Sequence, residues 1–160
     1  MDSLNIKINN ETLINYKFEW VPLNEGNRNL FIWQYHQTKN LPNRATIYRH
    51  VVHCKGVGMV TLYVGEGASL NGPYKYNLVY QYNGQHGETR MNVKKYINNY
   101  IRRKKSNGWT EILNINTKGI NLEDKKFRKA LESTFIAVYF FQYQKLTSSL
   151  DDAPLFQNKL

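Results

Sequence analysis

Two tyrosines, Tyr48 and Tyr63, stand fifteen positions apart, and a glutamate, Glu132, lies much further along the chain. A phenol titrates near pH 10 and acts as a proton acceptor only where nearby positive charge draws its pKa down. A carboxylate is the hard oxygen ligand that Mg²⁺ prefers, and one carboxylate with several waters suffices for such a site. Hydrolysing a phosphodiester calls for a base to activate water, positive charge for the developing phosphorane and usually a divalent metal. Cations are abundant: 22 Lys and Arg oppose 12 Asp and Glu, a formal net charge of +10. Arg90, Lys94, Lys95, Arg102, Arg103, Lys104 and Lys105 fall within sixteen residues, beside several of the twelve tyrosines. Positive charge interleaved with flat aromatic faces follows phosphates and stacks on bases. The combination implies metal-assisted cutting of a nucleic acid. The plainer structural reading makes most of the tyrosines core or sheet residues, and makes Arg102 to Lys105 a basic helix end matched to the macrodipole.

These residues need elements to hold them. Segments 46–49 and 61–65 mix β-branched and aromatic residues, the composition of a half-buried strand. Lys55-Gly56-Val57-Gly58 between them is punctuated as a hairpin turn requires. Strands over 45–54 and 59–65 therefore bring the two tyrosines near each other. The chain then breaks at Gly65 and Gly67, where backbone or ligand can approach closely. A short helix is expected near 74–81. Val93, Ile97, Tyr100 and Ile101 recur on one face and predict a helix over 88–106, stopped by Asn107-Gly108. Residues 109–115 read as a third strand, and 122–145 as a long helix capped by Asn121. Glu132 there opens an apolar run that ends at Phe141. Residues 18–21 and 30–33 read as strands or a short helix within an extended arm, closed off at Leu41-Pro42. The expected architecture is α+β: a small three-stranded antiparallel sheet flanked by helices. An N-terminal arm (1–42) precedes a catalytic domain (43–146) with an insertion at about 67–87, and a tail (147–160) follows.

Composition narrows the class. A single cysteine, Cys54, rules out an internal disulfide framework and a Cys-rich zinc site. No apolar stretch approaches the roughly 20 residues needed to span a bilayer. The opening residues lack the basic-then-apolar pattern of a secretory signal. The expectation is a cytoplasmic protein, away from membranes.

Ile47-Tyr48, then Tyr63-Val64-Gly65, then a basic helix, then Leu131-Glu132 at the head of an apolar run resembles the GIY-YIG nuclease family over about residues 44–145. The first element is Thr-Ile-Tyr instead of Gly-Ile-Tyr, and the tyrosine spacing is a little long. The resemblance implies that Tyr63 is the general base, Tyr48 its support, and Glu132 the ligand of Mg²⁺, with Mn²⁺ as a substitute. The family's arginine normally lies about ten residues past the second tyrosine, but Ser69 to Tyr76 contains none. Lys75 is the nearest cation there and Arg90, opening the next helix, is the better candidate for the guanidinium. Tyr76, His86 and Asn158 are further positions the resemblance touches, while His50 and His53 read as structural or DNA-facing. Lys94, Lys95, Arg102 and Arg103 are the expected nucleic-acid contacts. The implied activity is hydrolysis of DNA phosphodiester bonds by a restriction-like or phage-like endonuclease, acting alone or as a homodimer. The alternative is a nucleic-acid-binding protein that keeps the fold without cleavage.

Overall fold

Five strands form one antiparallel sheet in the order β1-β2-β5-β3-β4 in a computed structural model that describes residues 2–8, 11–23, 30–35, 41–72, 77–84, 87–115 and 120–146. They are β1 (Asp2–Ile8), β2 (Glu11–Pro22), β3 (Thr46–Cys54), β4 (Gly58–Gly67) and β5 (Asn107–Ile115). The helices are α1 (Leu78–Asn83), α2 (Glu88–Lys104) and α3 (Lys125–Leu146), with a 3₁₀ turn at Ile32–Gln34. The sheet has five strands, not the three expected from sequence, although the α+β class holds. The difference arises in the first 22 residues. β2 pairs with β5 from Phe18↔Ile115 to Pro22↔Glu111, and β1 pairs with β2, so the expected arm extends the sheet. The signal was present: Tyr16, Phe18 and Trp20 alternate with polar residues, the period-two pattern of a strand buried on one face. Phe18 and Trp20 are both buried.

β3 lies between β4 and β5, and successive residues alternate across the sheet. Tyr48 and Ile112 join one core with Val93, Ile97 and Tyr100 of α2, Tyr82 of α1, and Phe31, Ile32 and Trp33 of the 3₁₀ turn. Their neighbours Ile47 and Leu113 join the other core with Leu131, Phe135 and Ile136 of α3. Phe135 meets Phe18 and Trp20 edge-on, at 5.0 and 5.2 Å between centroids. Burying such a ring contributes about 2–3 kcal/mol. The sheet is thus covered on both faces, with α1 and α2 on one and α3 on the other.

Helix ends differ slightly from expectation. α3 begins at Lys125, capped by Asp124 Oδ1, which accepts from the amides of Lys126 (2.8 Å) and Phe127 (3.1 Å). The expected cap, Asn121, instead accepts from the Glu123 amide. α2 stops at Lys105, which takes the left-handed conformation at φ 46°, so Asn107 and Gly108 belong to β5. The 147–160 tail lies outside the described residues, as do Lys75, Tyr76, His86 and Asn158. Among the described residues, no helix is long and apolar enough to cross a membrane.

Candidate active site

Pairing within the β3–β4 hairpin sets the site. Tyr48 sits opposite Gly65 and His50 opposite Tyr63, so all four share the face covered by α1 and α2. A register shift follows immediately, between His50 and Val51. Such a bulge bends the strand and re-aims its side chains. The rings of Tyr48 and Tyr63 are 6.2 Å apart. Gly65 is required by this packing: a Cβ there would lie 2.6 Å from the Tyr48 ring and hydroxyl and 2.8 Å from the Tyr63 ring.

Arg90, in the first turn of α2, brings its positive charge near the Tyr48 hydroxyl, where it favours the ionised phenol. Its charge also acts on Tyr63 and Tyr82. Burial opposes charge on Arg90, but the surrounding phenols more than offset this and raise its pKa. Lys75 lies outside the described residues, so among those described Arg90 is the cation that meets the tyrosines. Glu132 comes from the opposite layer. β4 ends the sheet and α3 packs chiefly on it, so groups from both faces meet around Tyr63. The Glu132 carboxylate is near enough to raise the Tyr63 pKa, as is Glu66. Tyr48, Tyr63, Arg90 and Glu132, separated by up to 84 positions in sequence (48 to 132), thus converge.

Burial is the main influence on the phenols. It pushes Tyr63 up to about 12, partly countered by the Arg90 charge. Tyr48, fully buried, is raised well above the ordinary value. Both are therefore protonated at neutral pH, and a base role for Tyr63 needs further positive charge beside it. Among the described residues, no three His, Cys, Asp or Glu side chains are grouped as a zinc cage would need. A single carboxylate with waters is what Mg²⁺ accepts. Glu66 is already engaged, taking a 2.6 Å bond from Arg128 Nε. Arg128 also donates to the carbonyl of Leu122 at 2.6 Å, bracing the turn ahead of α3.

Against Arg90 opens a cavity of about 560 Å³, lined also by Lys125, Arg128, Gln81, Glu66 and Glu123 among others. The other basic candidates lie along α2. Lys94, one turn beyond Arg90, bonds Asn83, while Lys95, Arg102 and Arg103 are exposed. Arg102 and Arg103 stand about 18 Å from Arg90 along the helix axis.

Two residues at the site were not among the sequence candidates: His50, read as structural or DNA-facing, and Tyr82. His50 Nε2 lies 2.7 Å from the Tyr82 hydroxyl, which lies 3.1 Å from that of Tyr48. The one available signal for His50 was its position two residues from Tyr48, on the same side of the strand. No family model, curated protein or solved structure matches this chain.

Proposed function

We propose that this chain is a metal-dependent endonuclease of the GIY-YIG type, hydrolysing DNA phosphodiester bonds inside the cell. The observation that carries the reading is convergence: the charges of Arg90 of α2 and Glu132 of α3 are both felt at Tyr63 of β4, whose ring lies 6.2 Å from that of Tyr48. A base, a guanidinium and a hard-cation ligand are the three parts that phosphodiester hydrolysis needs. Tyr63 takes the proton of the attacking water. Arg90 binds the phosphate oxygens as negative charge grows on them. Tyr48, held by Arg90, keeps the Tyr63 oxygen in place. Glu132 would hold Mg²⁺, or Mn²⁺ in its stead, which would supply positive charge for the phosphate and for the ionising phenol. The cavity bearing Arg90 and Lys125 accommodates the strand next to the cut, and Lys95, Arg102 and Arg103 meet flanking phosphates.

Supercoiled plasmid incubated with Mg²⁺ or Mn²⁺ tests the proposal. Wild type nicks it, whereas Tyr63→Phe and Glu132→Ala bind DNA without nicking. Wild-type binding with no cutting under either metal would discard the enzyme and favour the non-catalytic alternative. The high pKa of Tyr63 is the observation on that side.

A further inference from the structure

His50, Tyr82 and Thr110 form a buried chain of hydrogen bonds that ends at Tyr48, beside the candidate base, and the direction of each bond follows from what each group can donate. The chain starts at a backbone amide. The Ile32 N–H donates to Thr110 Oγ1 at 2.9 Å. Thr110 is fully buried, and its own hydroxyl proton has an acceptor in His50 Nδ1 at 3.0 Å. With Nδ1 accepting, the proton of a neutral ring sits on Nε2. Nε2–H then donates to the Tyr82 oxygen at 2.7 Å, and the Tyr82 hydroxyl donates to the Tyr48 oxygen at 3.1 Å. Arg90 can only donate, and its charge is close enough to Tyr48 to pull against the effect of burial there. With the Tyr82 hydroxyl donating to it, Tyr48 turns its own proton away from Tyr82, on the side of Tyr63, whose ring lies 6.2 Å away. Run the other way, the chain would leave the Thr110 hydroxyl proton without its His50 acceptor in a fully buried site, at a cost comparable to a lost hydrogen bond.

We propose that Thr110, His50 and Tyr82 are positioning residues that lock Tyr48 as a hydrogen-bond donor to Tyr63, so that the Tyr63 oxygen is steadied as negative charge forms on it. The neutral state this needs is secured by burial, which holds the imidazole near 3. Proton transfer into the ring is not part of the device. An imidazole of such low basicity is a poor sink for a phenol proton, so the chain orients and does not relay. Packing fixes the ring plane: His50 stacks on Tyr63 at 5.6 Å and meets Trp33 and Phe31 edge-on.

The inference rests on the nuclease reading for its catalytic consequence but not for its geometry, and two measurements separate them. ¹⁵N spectra of the full chain, labelled at histidine, report the His50 tautomer directly. The Nε2–H form is expected, giving way to a mixture with Nδ1–H in Thr110→Val, which removes the donor to Nδ1 while keeping the shape. In the nicking assay, Tyr82→Phe and Thr110→Val should each lower kcat about tenfold with KM unchanged, the loss of one oriented hydrogen bond. A role in packing alone would lower thermal stability and leave both tautomer and kcat as they were. An Nδ1–H ring in wild type, or Thr110→Val with an unchanged ring spectrum, overturns the proposal. If wild type nicks nothing, the nuclease reading falls, and the ring spectra alone decide the chain.

Discussion

Tyr48 and Gly65 face each other across the β3–β4 pair, and the phenol of one occupies the space where a Cβ of the other would stand. The glycine is thus part of the site, because its missing side chain lets two buried rings lie against the backbone of the edge strand. Gly65→Ala should destabilise the fold by about 1–3 kcal/mol, since Tyr48 is fully buried and has nowhere to retreat. Urea unfolding measures this. The same variant should lose nicking even at temperatures where it is folded, because both rings are displaced.

Arg90 presents a fork to the phenols and to the cavity, and a lysine cannot reproduce it. Arg90→Ala should lower kcat about 10²- to 10³-fold, as for removal of one preorganised donor to a developing oxyanion. Arg90→Lys should recover little of this. Single-turnover nicking under saturating protein checks both, and full activity in Arg90→Lys would show that charge alone is needed there.

His50 carries a stability signature in acid. Burial lowers its pKa to about 3, against 6.5 for a free imidazole. Between those values the unfolded chain binds a proton that the folded chain refuses, so stability falls as pH drops from 6.5 towards 3 and is level above 6.5. The slope from this one residue is about 1.4 kcal/mol per pH unit within the window. Urea midpoints from pH 4 to 7 should flatten in His50→Gln, and an unaltered slope would refute the assignment.

Arg128 ties α3 to β4 through Glu66 and to the preceding turn through the Leu122 carbonyl. Its side chain is only 5% exposed, so removing it strands a carboxylate in a largely dry place. Arg128→Ala should cost about 3 kcal/mol, and adding Glu66→Gln should restore part of it. A double-mutant cycle by thermal unfolding gives the coupling. Independent effects would mean that the pair does not act as a unit.

Much of the framework was legible locally. The hairpin of 46–67, the helix over 88–104 and the strand leading to Ile115 are set by β-branched content, glycine punctuation and helical periodicity, properties of neighbouring residues. The first two strands were equally patterned, with Phe18 and Trp20 in alternation, but a strand's partner is not written in its own residues. Only the pairing of β2 with β5 turned an expected arm into part of the sheet.

The site divides along the same line. By itself the sequence determined a pair of tyrosines on one hairpin, a run of cations on one helix, a glutamate heading an apolar stretch and a surplus of ten positive charges. Each depends on residue type and short spacing. Tertiary structure alone decided that Arg90 comes near those tyrosines and that Glu132, from the other face of the sheet, is felt at Tyr63. It also decided that His50 and Tyr82 stand behind Tyr48, fully buried. These are distances between residues far apart in the chain, fixed by the edge position of β4 and by two layers of helix packed on either side. No local pattern encodes a distance of that kind.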